Sequence, residues 1–412
     1  VSRPTVPGGT GDTPEEEMQH PTRTAGPHPD VLVVGAGVVG AACAYHAARA
    51  GLTVTVVDRG PVAGGTTGAG EGNLLVSDKG PGPELALAQL STRLWGELAE
   101  ELDNPFEYEA KGGLVVAATP HGLDALQDFA AGQRAAGVAA APVTAAGLAG
   151  YEPHLAPGLA GGVHYPGDAQ VQPVLAAAHL LRAARRRHGV RVRTGVTVTG
   201  FLKGRDGRVT GVTTTAGDLP AGAVVNAAGT WGGELSALAG APVPVLPRRG
   251  FVLVTEPLPP LIRHKVYAAE YVANVASGGA GLETSAVVEG TPAGTVLIGA
   301  SRERVGFDRT VSLPVLRRLA AQAVALFPAL GQASALRAYC GFRPYCPDHL
   351  PVIGADPRAP GLLHACGHEG AGIGLAPATG LLLAQQLTGQ EPACDLRPFA
   401  PTRFDAKAEV NR

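Results

Sequence analysis

Apolar residues along this chain follow three rhythms, and each predicts a different element. A continuous run at 31–34 opens "DVLVVGAGVVGAACAYHAARAGLTVTVVDRG" (residues 30–60) and predicts a strand covered on both faces. The run passes into Gly35, Gly37 and Gly40, then a helix to about Ala50 closed by Gly51, then a second strand over 53–57 that ends at Asp58. Helical spacing comes next. Leu87, Leu90, Leu94 and Leu98 recur in "LALAQLSTRLWGELAEEL", Pro173 opens an Ala/Leu-faced helix over 173–187, and a further helix is expected over about 313–327. Alternation is the third rhythm. "VRVRTGVTVTGFLKGRDGRVTGVTTTAG" reads as strands joined by a hairpin at "GRDGR", and "GGLVVAAT", "VPVLPRRGFVLVTEP", "GTVLIGASRE" and "SALRAYCGF" are strand-like.

The order of these elements suggests how the chain is divided. "AGAVVNAAGTWGG" (221–233) sets a short strand before a glycine turn, and residues 361–389 read as strand, glycine loop and helix, repeating the grammar of the beginning. A β-rich stretch over roughly 243–345 separates the two ends. The expected fold is α/β combined with α+β: a discontinuous Rossmann-like domain beside an antiparallel-sheet substrate domain. The first would take residues 30–80, 150–235 and 345–400, and the second residues 81–149 and 236–344. Residues 1–29, rich in Pro, Gly, Thr and Glu, read as a disordered lead.

The glycines at 35, 37 and 40 carry the first chemistry. In a strand–turn–helix context Gly35 makes the tight turn, Gly37 lets the backbone approach a pyrophosphate, and Gly40 permits close helix–strand packing. The N-terminus of the helix, at Val38 and Val39, offers N–H groups to phosphate. Asp58, 21 positions after Gly37 and followed by Arg59, is placed to accept hydrogen bonds from a ribose. A carboxylate there repels a 2′-phosphate, so NADP is disfavoured while FAD and NAD both remain. A cofactor domain split between the two ends of the chain fits a simple NAD dehydrogenase poorly.

Composition narrows the rest. A net charge of −2 gives a nucleic-acid partner little electrostatic support. The basic run "RAARRRHG" at 182–189 ends a helix, where the dipole favours cations. No apolar run approaches the ~20 residues that span a bilayer. Five dispersed cysteines argue against a disulfide scaffold and fit a reducing cytoplasm. Cys340 and Cys346 have no second cysteine pair nearby, so no metal site is expected.

With "VVGAGVVG", "GGTTGAGEGN", "VVNAAGTWGG", "GFRPYCPDHLPVIG" and "GHEGAGIGLAPATG" in this order, the chain resembles the FAD-dependent D-amino-acid oxidase superfamily over about residues 30–400. The likeness is greatest to the glycine oxidase, sarcosine oxidase and D-hydroxyproline dehydrogenase β-subunit group. The resemblance implies FAD, its ADP half held by Gly35, Gly37, Gly40 and Asp58. It implies pyrophosphate and ribityl contacts at Thr66 and Thr67, and a second approach to the phosphates from Asn226, Gly229 and Trp231. The loop from Gly367 through Gly370 and Gly372 to Ile373 would face the flavin ring, with Arg249 and Gly250 near the join of the two domains. The helix after that loop would turn its positive end to the reduced flavin.

The arginine of the family's substrate-clamping motif corresponds to Arg343 in "GFRP", implying a small carboxylate-bearing amine as substrate. The implied reaction moves hydride from the amine-bearing carbon to flavin N5, giving an imine. Electrons would then pass to O2 or to an accepting partner subunit; a non-catalytic flavoprotein subunit is the third alternative. Tyr271, Tyr345 and His368 are candidates for hydrogen bonds to substrate or flavin. Two departures matter. Glu369, Gly370 and Ala371 stand where relatives can carry a second arginine. Gly341 rather than Cys340 falls opposite the flavin-tethering cysteine of sarcosine oxidase, so non-covalent FAD is expected. His164 reads as a strand-edge residue rather than a flavin attachment point.

Overall fold

The first apolar run forms strand β1, Val31–Val34, and all of it is buried. Alternation of side chains makes that stable: Val31 and Val33 enter one core, Leu32 and Val34 a separate core on the opposite face. Helix α1, Val38–Arg49, follows, capped at Ala50, with the expected closing glycine, Gly51, one step beyond at φ +87°. β2, Val54–Asp58, then pairs parallel with β1. These details come from a computed structural model that describes residues 28–275 and 277–405. The expected disordered lead lies, from residue 1 to 27, outside the described residues.

A six-stranded sheet forms around β1 in the order Val352–Ala355, Leu362–Cys366, Ala223–Asn226, β1, β2, Arg191–Thr194. Every neighbouring pair is parallel except the edge pair of Val352–Ala355 with Leu362–Cys366. β1 has a late strand on one side and β2 on the other, which makes its C-terminal end the switch point where such sheets open a crevice. α1 packs between the helices Pro173–His188 and Gly372–Leu387 on one face. On the other lies a three-stranded sheet made by Val198–Lys203, Val209–Thr214 and Leu219–Pro220.

The second layer is an eight-stranded sheet. Its strand order is Ala335–Tyr345, Leu246–Thr255, Val296–Arg302, Glu283–Gly290, Lys265–Ala268, Gly113–Ala117, Gly161–Tyr165 and Ala141–Thr144. All neighbours are antiparallel apart from Lys265–Ala268 with Gly113–Ala117. Helix Leu313–Leu326 covers one face, burying Val315, Leu316, Leu319 and Ala323 against Phe251, Val288 and Ile298. The fold is therefore a discontinuous Rossmann-like domain joined to an antiparallel-sheet domain.

Three placements differ from the sequence reading. Arg191–Thr194 joins the parallel sheet beside β2, so the hairpin at "GRDGR" begins only with Val198–Lys203. Gly161–Tyr165 belongs to the eight-stranded sheet, and helix Pro83–Leu102 packs against Gly372–Leu387 of the Rossmann-like part. An apolar stripe such as that of Leu87, Leu90, Leu94 and Leu98 specifies that a helix is buried on one side; it does not specify against which layer.

Trp95 links this packing to the cofactor loop. It is fully buried, stands edge-on to Phe106 at 5.4 Å, and its indole Nε1 donates to the Ile373 carbonyl at 3.1 Å. A Trp95→Phe protein keeps the aromatic core but leaves that carbonyl short of a donor, at a cost of about 1–3 kcal/mol. The expected result is a lower thermal midpoint together with weaker retention of cofactor on dialysis; an unchanged midpoint would contradict the role.

Candidate active site

Where β1 ends, the backbone turns in a way that only glycine allows. Gly35 has φ +119°, and a Cβ on it would meet the Ala227 carbonyl oxygen at 2.2 Å. A Cβ on Gly40 would lie 1.9 Å from the Gly35 oxygen. The two glycines thus press α1 against the turn, and they open a cavity of about 390 Å³ between the sheets. Gly35, Gly37, Val38 and Val39 line it, together with Asp58 and Arg59. The first turn of α1 contains no acidic residue of its own, and its positive end faces the cavity.

Asp58 does more than face the cavity. One carboxylate oxygen accepts the Ala36 N–H and the other the Gly60 N–H, each at 2.7 Å. The acid thereby fixes the glycine turn while retaining lone pairs toward the cavity. Arg59 lies 4.2 Å above the Trp231 ring, and Trp231 in turn stacks on Phe307 at 5.4 Å. Thr66 and Thr67 line the cavity, yet their hydroxyls are engaged by protein. Thr67 Oγ1 accepts the Val38 N–H at 3.1 Å, capping α1, and Thr66 donates to the Phe342 carbonyl at 2.7 Å, tying the loop to the substrate-domain strand.

Gly229, Gly370, Gly372 and Ile373 also line the cavity, but Asn226 and Gly367 stand behind it. Asn226 holds the second glycine turn, donating to the Gly232 carbonyl at 2.9 Å. Gly367 gives the last turn room: a Cβ there would strike the Cys346 sulfur at 2.6 Å. His368 reaches the wall with its Nε2 beside Thr379 Oγ1 at 3.0 Å, and burial drives its pKa down to about 3, so it stays neutral.

Arg343 projects into the same cavity from strand Ala335–Tyr345. Its one hydrogen bond is from Nη1 to the Ser301 carbonyl at 2.8 Å, and among the described residues no carboxylate lies within salt-bridge distance. Asp348, the acid nearest in sequence, pairs instead with Arg403 at 2.7 Å. Burial, and then the charge of neighbouring Arg302, hold the Arg343 guanidinium below its usual pKa. Gly250 lines the cavity opposite and makes room, since a Cβ there would lie 2.2 Å from Arg343 Nη1. Arg249 points away, to Glu303 at 2.9 Å and Asp308 at 2.5 Å.

Tyr271 shares the cavity wall with Arg343, while Arg302 sits 5.1 Å over its ring and burial raises its hydroxyl pKa. Tyr345 does not reach the cavity. It lies two residues past Arg343, roughly 6.6 Å along the strand. There its ring packs under Arg248 at 5.4 Å and Arg304 at 4.9 Å. Glu369 has φ +47° and lines the cavity, but its carboxylate accepts from Arg248 at 2.6 Å and meets His349 at 2.9 Å. His164 lies on strand Gly161–Tyr165, remote from the cavity wall.

Among the cavity residues that the sequence did not single out are Arg309 and Glu71. Arg309 stands over the Phe342 ring at 5.5 Å. Glu71 is 8% exposed, and its Oε1 has no hydrogen-bond partner. The only sequence signal for Glu71 is an acid in a loop otherwise built of Gly, Thr and Ala.

Comparison with known proteins agrees with this geometry. Residues 30–386 match the FAD dependent oxidoreductase family. A glycine oxidase of Geobacillus kaustophilus is 33% identical over 389 residues, 92% of this chain and 98% of that one. A hydrogen cyanide synthase subunit of Pseudomonas aeruginosa is 30% identical, covering 91% of this chain and 96% of its own length. The crystal structure of glycine oxidase from Geobacillus kaustophilus superposes with a TM-score of 0.82 at 32% identity, over 91% of this chain and 99% of that chain. The chain belongs to the FAD-dependent oxidoreductase family, and it is an FAD enzyme.

The cavity fits that cofactor. The glycine cradle, which a Cβ would fill, the α1 N-terminus and the Asp58 carboxylate suit a dinucleotide carrying a free ribose hydroxyl. Gly341, not Cys340, lines the cavity, and burial raises the Cys340 thiol pKa, so FAD is held without a covalent bond. Acid precipitation of the yellow protein is expected to leave the pellet colourless and all flavin in the supernatant; a yellow pellet would refute non-covalent binding. Gly40→Val is expected to yield protein lacking the 450 nm flavin band, because its side chain must displace the turn at Gly35.

Proposed function

We propose that this enzyme oxidises the C–N bond of a small amino or imino acid, one resembling glycine, sarcosine, proline or hydroxyproline, to an imine. The observation that carries the reading is Arg343: a half-buried guanidinium on the cavity wall that, among the described residues, hydrogen-bonds one carbonyl and has no carboxylate within salt-bridge distance. A substrate carboxylate supplies the missing charge and matches the planar fork of donors. With the guanidinium partly withdrawn from water, such a pair is stronger than between free ions in solution.

FAD, when bound, supplies the two-electron acceptor for the amine-bearing carbon. The protein's own part is to orient and to exclude water. Arg343 fixes one end of the substrate, leaving its Cα and nitrogen directed along the cavity. Tyr271, with its phenol held protonated by burial, is a donor beside the clamp. His368, neutral and turned to Thr379, is a filler that keeps charge away from the turn at Gly370. The domains act together here: residues 30–80, 150–235 and 345–400 would hold cofactor, and 81–149 and 236–344 would shape the pocket, with the exchanges of single elements described above.

Mixing purified protein anaerobically with glycine, sarcosine, D- and L-proline and D-hydroxyproline tests the reading. Bleaching of the 450 nm band by at least one of them is expected, and the speed of recolouring in air separates an oxidase from a dehydrogenase that delivers electrons to a partner. Arg343→Ala is expected to keep the flavin spectrum and lose roughly 30-fold to more than 1,000-fold in kcat/KM, the equivalent of about 2–5 kcal/mol. Undiminished turnover of a carboxylate substrate by that variant would remove Arg343 from the reaction.

A further inference from the structure

An amino acid arrives in water as a zwitterion, whereas oxidation at its C–N bond needs the nitrogen lone pair. Arg343 accounts for the carboxylate and leaves the ammonium proton without a destination. Glu71 is the buried acid on the cavity wall that, among the described residues, makes no ion pair; Glu234 lines the cavity as well but is exposed. Its neighbour acids are committed: Glu369 to Arg248 and His349, and Glu289 to the buried Lys265 and, at 3.3 Å, to the Gly72 N–H. Glu71 Oε2 has only a long contact, 3.4 Å, from the Asn73 amide. Its Oε1 is buried and bare. Room for it comes from Gly299 on strand Val296–Arg302, where a Cβ would come within 2.5 Å of that oxygen.

We propose that the Glu71 carboxylate is the proton acceptor of this site, receiving the proton that leaves the substrate ammonium. In this step one N–H bond breaks and one O–H bond forms, the electron pair stays on nitrogen, and the carboxylate becomes a carboxylic acid. No oxidant takes part. The proposal rests on the reading of Arg343 as the carboxylate clamp.

Substrate binding itself drives the transfer. The charged groups within reach of Glu71 are Lys265, Glu289 and Arg343, and the phenols of Tyr271 and Tyr339 face it as well. Burial raises the affinity of Glu71 for a proton, Glu289 raises it further, and Lys265 and Arg343 oppose both. Lys265 is already neutralised by Glu289. When a carboxylate docks on Arg343 it cancels the other opposing charge, so Glu71 gains proton affinity at the moment the ammonium enters.

Calorimetry on the FAD-loaded protein at pH 7, in buffers of different ionisation enthalpy, reads this directly. Acetate, which has the carboxylate but no amine, is expected to bind wild type with net uptake of protons from solvent and to bind E71Q with none. Glycine is expected to bind wild type with little net exchange and to release close to one proton on binding E71Q. In stopped-flow reduction by glycine or sarcosine, E71Q is expected to be roughly 100-fold slower than wild type at pH 7. That deficit should shrink as pH rises toward the pKa of the free amine, and Glu71→Asp should restore part of the rate. Identical proton counts and pH profiles in wild type and E71Q, with acetate binding intact and lost in R343A, would overturn the role of Glu71 alone. Acetate binding that does not depend on Arg343, or no binding of either probe, would overturn the clamp and this proposal with it.

Discussion

A half-buried guanidinium held by one carbonyl is the constraint around which this site is arranged. Removing a charge from water is costly unless a counter-charge meets it. Among the described residues Arg343 hydrogen-bonds only the Ser301 carbonyl; burial and Arg302 disfavour its charge, and Tyr271, Glu71 and Glu369 offset them only in part. Such an arrangement persists because the surrounding sheet leaves the side chain no alternative. Leu246–Thr255 and Ala335–Tyr345 pair along nearly their whole length, from Leu246 with Tyr345 to Thr255 with Ala335, and Gly250 clears the space the guanidinium fills. On the proposed reading, the stability lost at Arg343 is returned when a substrate anion docks. That difference is binding energy available for orienting the substrate.

The remainder of the site can be understood as service to that event. Gly35 and Gly40 hold α1 tight against the turn, Thr67 caps the helix, and Asp58 pins the turn from the other side. Thr66 joins this cofactor-side loop to Phe342, the residue next to Arg343. The cofactor cradle and the strand that carries the proposed substrate clamp are therefore tied by a hydrogen bond, even though 276 positions separate Thr66 from Phe342.

How far the sequence could be read depended on the range of the forces involved. The βαβ unit from Val31 to Asp58 was legible because turn, helix start and terminal acid are set by local geometry at fixed spacing. The split Rossmann-like sheet was legible from a repeated strand–glycine–helix grammar. Arg343 came into view through motif resemblance, because nothing local distinguishes an arginine lacking a counter-ion from one that has found it. Tyr345 shows a related limit: two residues further along the strand its ring packs against Arg248 and Arg304, contacts that local sequence does not reveal. Glu71 was silent, since its bare oxygen depends on Gly299, Glu289 and Lys265, which reach it only through the folded sheet.

A crystal structure of the FAD-loaded protein with acetate or another small amine-free carboxylate tests the central claim most directly. The account predicts both carboxylate oxygens on the Arg343 guanidinium at about 2.7–2.9 Å, with the Ser301 contact retained or exchanged for it. A carboxylate seated elsewhere in the cavity, or Arg343 found paired with an acid of its own chain, would contradict it.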